Sequence, residues 1–430
     1  MGKIEIDHTG TGGGITLSSD GTDLLLDGTA IGGGGAALEL YAENPVTPVS
    51  PSATGTNAVA IGSGAIASDT RAVALGLSRA DGDDAVAIGI GATNLTYGAR
   101  ATGALAAGYQ ASATALQASA VGGFATASGS RSNAFGYETD ATNTNSNAFG
   151  SFAQSVGTNS TAIARAYASG ADSFSAAIAT NSTNYGASGA NSIVLGSLAK
   201  ATGTDSLALG DRAWATATAS TAIGRQSYAR GTNSIAIGLL SEATAQGSIA
   251  IGNGYSFDGP QATFYNAIAI GQGSLSDKVG KVAISGFAFA ASGDSQHGIF
   301  VLRVATTDAT ATPLVTGANI LGSEAADANN QVILPNNSAY AFHGTIVARQ
   351  QASAGTACAA WKVEGLIRRE GSAGTTVLVN SATTVLDNTP AWGMALTADT
   401  TNGGLAITVT GAAATNIRWV ATINTSEVTY

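Results

Sequence analysis

Three histidines, one cysteine and 28 acidic residues are what this 430-residue chain offers for acid–base, nucleophilic or metal chemistry. Their spacing works against each. His8, His297 and His343 lie in three separate segments, and no HxH, HExxH or CxxC spacing joins them to one another or to Cys358, so a metal site within one chain is not expected. Asp81, Asp83 and Asp84 have the residue types of a calcium loop or a glycosidase carboxylate pair, but read as a solvated turn. GTGGG (10–14) and GGGG (32–35) lack the Lys-Ser/Thr of a phosphate loop and read as turns. Serine is abundant, yet no nucleophile-elbow pattern occurs. Cys358 has no intrachain disulfide partner and is expected to be a small buried hydrophobe. No catalytic, metal or cofactor-binding residue is assigned, and the chain is not expected to be an enzyme.

Aromatic side chains are the remaining candidates, as stacking surfaces for a sugar. Trp361 and Trp419 fall within alternating strand patterns and are expected in a core. Trp214, alone among the repeats, and Trp392, in the turn-like TPAWG (389–393), are expected to be exposed. With Tyr340 they form the candidate receptor contacts.

The elements that must carry these residues have an unusual composition. Glycine occurs 57 times, aromatics make up 6% and charged residues 11%, against roughly a quarter charged in an average soluble protein. That fits a thin, regularly built body better than a bulky core. The formal net charge is −10 with no Lys/Arg cluster, which makes nucleic acid and anionic membrane poor partners. No window approaches the roughly 20 apolar residues of a membrane helix, so membrane insertion is not expected. The opening MGKIEIDHTGTGGG has no charged segment followed by an apolar run, so export by a signal peptide is not indicated. The lack of disulfides fits synthesis in a reducing cytosol.

A repeat organises most of the chain. NAVAIG (57–62) is echoed by RAVALG (71–76), DAVAIG (84–89), NSIVLG (191–196), DSLALG (205–210), NSIAIG (233–238), GSIAIG (247–252) and NAIAIG (266–271). The closing positions are Gly62, Gly76, Gly89, Gly108, Gly122, Gly136, Gly150, Ala164, Ala179, Gly196, Gly210, Gly224, Gly238, Gly252, Gly271 and Gly286. Nine of the fifteen intervals between them are 14 residues, and the others are 13, 15, 17 or 19. The aliphatic runs are too short for a helix and are bounded by residues that break one, so each is a short strand. One coil of about 14 residues has a perimeter near 45 Å, with room inside only for small or branched aliphatic side chains. Sixteen coils at about 4.8 Å each would extend about 75 Å.

Within Ala58-Val59-Ala60-Ile61 both faces of the strand are apolar, and a strand apolar on both sides expects cover on both. One face can fill the coil; the other packs most economically on identical chains around a common axis.

Prolines mark the boundaries. Pro45, Pro48 and Pro51 precede the repeats and none falls within 52–259, as a continuous ladder requires. The expected organisation is an N-terminal β element for attachment (1–42), a Pro-rich linker (43–54), the repeat coil (55–286) and a C-terminal antiparallel β-sandwich (287–430). The last is signalled by longer alternating strands such as GIFVLRVAT (298–306) and YAFHGTIVARQ (340–350).

Asn-Ser-Ile-Ala-Ile-Gly (233–238), its cognates and the intervening AxATG segments such as LAKATG (198–203) resemble the YadA-like head repeats of trimeric autotransporter adhesins, over about 55–286. That resemblance implies an all-β, left-handed parallel β-roll assembled as a homotrimer. The C-terminal segments VILPNNSAYAFHGTIVARQ and ADTTNGGLAITVTG, with the opening IEIDHTGTGGG, are instead similar to structural and tail-fibre proteins of tailed bacteriophages, particularly marine and cyanobacterial ones. Together the two resemblances imply a virion fibre made in the host cytoplasm. Its partners would be itself, other virion proteins and a host-surface glycan or protein. The alternative they imply is a bacterial surface adhesin without its export and anchor segments.

Overall fold

A 14-residue cycle of alternating small and branched residues closes on itself as two short parallel rungs joined by tight turns. The computed structural model describes residues 49–430 except 90, 92–95, 178–183, 256–257, 318–324, 353 and 389, together with the backbone of five short strands before residue 41. The chain is all-β and comprises two compact units, Met1–Ala176 and Ala177–Tyr430.

In the first unit, Ile4–Ile6, Ile15–Ser19, Leu24–Leu26 and Thr29–Ile31 form an antiparallel meander. Glu39–Leu40 then pairs in parallel with the rung Val59–Ile61. From there each coil contributes a mostly three-residue rung to a wide sheet and a two-residue rung to a narrow one, every rung pairing with its equivalent one coil away. Val59, Ala60 and Ile61 lie against Val73, Ala74 and Leu75, and Ile66 and Ala67 against Arg79 and Ala80. The narrow sheet begins at Ser52–Ala53 with Pro51 buried beside it, so the coil starts three residues before the expected boundary. Pro45 and Pro48 lie outside the described residues.

The interior is lined almost wholly by methyl and hydroxymethyl groups. Ala60, Ala74, Ala87, Ala106, Ala120, Ala134 and Ala148 point inward from the wide sheet; Ala67, Ala80, Ala99, Ala113 and Ala127 face them from the narrow one, all with no exposed surface. Alanine therefore fills the coil, and the branched aliphatic residues face outward.

The second unit continues the same pattern, and residues 191–196 show why each type stands where it does. Asn191 takes φ +55° in the turn, a region that Asn tolerates better than most residues. Ser192 turns inward and donates to the carbonyl of Gly189 at 2.6 Å, satisfying its buried hydroxyl locally. Ile193 and Leu195 face out, Val194 faces in, and Gly196 turns the chain with φ +139°. The closing glycine is also required by its neighbour. A Cβ at Gly122 would lie 2.1 Å from the carbonyl oxygen of Gly136, and one at Gly238 would lie 1.8 Å from that of Gly252.

Beyond the last wide rung, Val282–Ile284, the strand Ser295–Thr306 pairs with it antiparallel, Val282 opposite Ile299. It opens a five-stranded antiparallel sheet in the order Ser295–Thr306, Ile417–Thr429, Ser338–Gln350, Cys358–Arg369, Val377–Asp387. A second sheet, built on Gly404–Thr410 with Gly393–Asp399, Val332–Ile333 and Thr312–Pro313, packs across it. The core between them includes Phe300, Leu302, Phe342, Trp361, Trp419 and Ile423 from the first sheet and Leu405, Ile407 and Val409 from the second. This is the sandwich that the alternating patterns predict.

A leucine at an inner alanine position has no space to occupy. Ala120→Leu is expected to destabilise the first unit by about 1–3 kcal/mol, whereas Val121→Leu, on the outer side of the same rung, should change little. Thermal unfolding of the two variants checks this, and equal stability would show a roomier coil.

Candidate functional site

With alanine inside, the outer side of the wide sheet carries the large apolar residues. In the first unit it bears Val59, Ile61, Val73, Leu75, Val86 and Ile88; in the second the outer column reads Leu195, Leu209, Ile223, Ile237, Ile251, Ile270 and Ile284 without a polar interruption. Ile88, Ile193, Leu195 and Ile251 remain 40–42% exposed. The narrow sheet differs. Its outer positions include Arg79, Thr126, Asp140, Gln154, Lys200 and Glu242. Continuous apolar surface of this kind on one face marks an interaction surface.

A second exposed feature lies in the turns of the first unit. Tyr109, Phe124, Tyr137 and Phe152 stack edge to face with centroids 5.3–5.7 Å apart, and the Arg165 guanidinium sits 4.9 Å over the Phe152 ring. Each ring keeps a third to a half of its surface exposed. Tyr109 and Tyr137 are 28 residues apart, as are Phe124 and Phe152. That two-coil period was available in the sequence but is hidden when coils are aligned singly.

The repeat glycines Gly62, Gly76, Gly89, Gly122, Gly136, Gly150, Gly196, Gly210, Gly224, Gly238, Gly252 and Gly271 all take φ between +60° and +144°; Ala164 adopts φ +62° in the same role. Ala179, His8 and both glycine-rich runs lie outside the described residues. Asp81 accepts hydrogen bonds from Ser68 and Arg79, Asp83 from the Thr70 backbone, and Asp84 from Arg71. The Arg71 hydrogen bond holds Asp84 below the ordinary carboxylate range. Apart from the Arg79 bond within one coil, these are contacts between neighbouring coils.

The structure corrects three placements. Trp392 is 5% and Tyr340 1% exposed, so neither offers a face to a receptor. Trp392 packs 5.7 Å from Trp419, its turn pinned by Asn388, and Tyr340 is an inward residue of an alternating strand. Cys358 is exposed, not buried, at the outset of its strand. Trp214 is half-buried, its ring tilted against Tyr228 with centroids 5.1 Å apart and its indole N–H on the Leu198 carbonyl. Trp361 and Trp419 stack in the core at 5.9 Å.

Where the last coil meets the sandwich, the sequence reading missed a buried polar cluster. Lys281 Nζ lies 2.7 Å from Glu427 Oε2, both side chains at 2% exposure or less. Gln296 and Thr425 donate to the same carboxylate at 2.7 Å, and the Phe300 and Tyr340 rings flank the ammonium at 5.6 and 5.9 Å. Burial, reinforced by the charges of Glu427 and Asp277, drives the Tyr340 phenol well above its usual range. A clue was present: the position before each wide rung is Ala or Ser in every coil from Ala58 to Ala267, and Lys281 breaks that rule. Next to this cluster, a loop carrying the exposed Phe287 and Phe289 is held by Asp294, which accepts from the backbone N–H groups of Phe289, Ala290 and Ala291 at 2.6–2.8 Å. Burial raises the Asp294 pKa, but these three donors outweigh it and leave it below the ordinary value.

Among the described residues, no group of three or more His, Cys, Asp or Glu side chains is placed to hold a metal ion, and no helix is long and apolar enough to cross a membrane. A family profile described as the YadA head domain repeat matches residues 53–78, 113–139, 187–213, 201–227, 215–241 and 229–254. The coil therefore carries YadA head repeats. No curated protein matches the sequence. Among solved structures, a tailspike protein, gp49 of Acinetobacter baumannii bacteriophage Fri1, a capsular polysaccharide depolymerase, aligns at 9% identity over 86% of this chain and 69% of its own, with a TM-score of 0.21. That score is too low to carry an argument.

Removing the ammonium alone strands a buried carboxylate. Lys281→Met should cost about 3–5 kcal/mol, and the double variant with Glu427→Gln should recover part of it, as read by denaturant unfolding of the sandwich. For Asp294 the depressed pKa means that its clamp is complete above the unfolded carboxylate value of about 3.9 and is lost as pH falls through the lower folded value. At neutral pH, Asp294→Asn should raise amide exchange at residues 289–291 at least tenfold, and unchanged protection would show that the loop is held by other contacts.

Proposed function

We propose that this chain is the structural subunit of a tailed-bacteriophage virion fibre, a homotrimer whose coils form the shaft and whose C-terminal sandwich contacts the host surface or docks to another virion protein. The observation that carries this reading is the outward apolar column of the wide sheet. A face that carries Leu or Ile in one column at each described coil from Leu195 to Ile284 is covered most economically by the same face of identical chains, because equal repeats bring like rungs level. The YadA head repeats support the trimer. The edge strand Val377–Asp387, every residue of 379–387 exposed and without a charge before Asp387, is a second surface left for a neighbouring copy, since unprotected edges invite pairing.

The phage origin rests on the sequence likeness of the C-terminal 290–430 and of the opening residues. A bacterial surface trimeric adhesin is the alternative, and the repeats fit it equally. In either setting the subunit's role is reach and multivalency, three weak contacts acting together, and no catalysis is assigned to it. Its partners in the phage reading are other virion proteins and a host-surface glycan or protein.

Light scattering of the purified chain should give three chain masses in dilute buffer. Ile237→Asp, in the outer column, should shift it towards one chain mass with its β-sheet circular dichroism retained. A well-folded monomer of the unmodified chain would end the shaft proposal. Mass spectrometry of purified virions separates the two settings, and release of reducing sugar from host capsule would overturn the non-catalytic role.

A further inference from the structure

We infer that the end of the sandwich remote from the Lys281–Glu427 contact holds a binding pocket for a carboxylated saccharide. There the strands Ser295–Thr306, Ser338–Gln350 and Ile417–Thr429 end together, and a cavity of about 590 Å³ opens among Thr306, Thr307, Arg349, Gln351, Asn416 and Arg418. This is within the range of small-molecule sites and suits one or two rings of a short saccharide whose remaining ring lies outside.

Its charge is the informative feature. Arg349 and Arg418 are cross-strand partners in the antiparallel register, both exposed on one face. Like charges directly opposite on neighbouring strands destabilise a sheet. No carboxylate lines the cavity to offset them, although acidic residues outnumber basic ones by 28 to 18. Arg349 is steadied by the carbonyls of Ala357 at 3.1 Å and Gly355 at 3.4 Å. The Arg418 guanidinium has no hydrogen bond or ion pair to a described residue. Two guanidinium groups a strand apart therefore face solvent: Arg418 presents its whole carboxylate-matching fork, and Arg349 engages only one terminal amino group with backbone and keeps its other donors.

The other lining groups are neutral and mixed in donor and acceptor. Asn416 Nδ2 donates to Gln351 Oε1 at 2.8 Å, which fixes both amides and leaves the second Asn416 amide hydrogen and its carbonyl for a ligand. The Thr307 hydroxyl adds a donor and acceptor beside them. Paired carboxamides and a hydroxyl suit a ring of hydroxyl groups, and the guanidinium pair suits a carboxylate on that ring. A bare inorganic anion would use only the second set.

The inference deepens the proposed function by naming what the sandwich would contact, and it rests on that reading only for the ligand's source. The test uses the full chain, with trigalacturonate and sialyllactose as probes, followed by calorimetry or saturation-transfer NMR. One or both should bind, and the methyl ester of trigalacturonate or neutral lactose should bind at least tenfold more weakly. Arg418→Gln should weaken binding at least tenfold without altering thermal unfolding; Arg349→Gln should do the same. No binding of either acidic probe, equal binding of the neutral ones, or full retention in Arg418→Gln would overturn the site. Displacement by equimolar inorganic phosphate would overturn its saccharide character. Light scattering on the same samples keeps the two readings separate, because a trimer that fails to bind refutes only the pocket, and a monomer that binds refutes only the shaft.

Discussion

The width of the coil interior governs the rest of this structure. Each rung directs one small residue inward, and the two sheets lie close enough that alanine, serine and a single valine, Val194, fill the inner rung positions. A side chain that cannot go inside must go outside, so the branched residues that give the rungs their β propensity are placed on the surface. Methyl groups bury little area each, which leaves the hydrogen bonds to the coils on either side as the main support of any one coil. Those bonds require equivalent residues to stack directly. That requirement explains why the closing glycine stands against the next coil's closing glycine, and why Asn145 can donate to Asn159 and Asn191 to Asp205 one coil on.

A stack of parallel rungs ends in an unpaired strand, and the second unit solves this by continuing the wide sheet into the sandwich. Ser295–Thr306 pairs with the last rung on one edge and with Ile417–Thr429 on the other. The reversal from parallel to antiparallel pairing occurs at this strand. Lys281 and Glu427 sit at the same place, one on the final coil and the other on the final strand. Their ion pair is costly to desolvate, but it is supported by Gln296, Thr425 and two aromatic rings. Such a pair accepts one registration of coil against sandwich, since a slip of one rung would put a buried lysine against an aliphatic neighbour.

The repeat was legible because its grammar is local. Spacing, the parity of Ala against Ile and the positive-φ glycine are all set within one coil, and so are the alternating long strands and the cores of Trp361 and Trp419. What escaped depends on contacts between distant segments. TPAWG reads as an exposed turn, yet Trp392 is folded onto Trp419. The Arg349–Arg418 pairing joins positions 69 apart and exists only in the register of the long strands. Cys358 looked buried by residue type alone. Lys281 stands between these cases, since its break from the Ala/Ser rule was visible but its partner was not.

Repetition also decides where specificity must reside. The outer apolar column offers nearly the same contact at each coil, so two copies displaced by one coil would bury almost as much surface as two in register. Assembly through such a face gains strength but little discrimination. Register has to come from positions that break the repeat: the Phe135–Phe149 stack, where the aliphatic column turns aromatic, and the non-periodic sandwich. A ligand site meets the same limit, because a surface that repeats presents a ladder of equivalent positions. A single cavity with a defined set of guanidinium, amide and hydroxyl groups arises only where the sequence no longer repeats, and Arg349, Asn416 and Arg418 stand in that part of the chain.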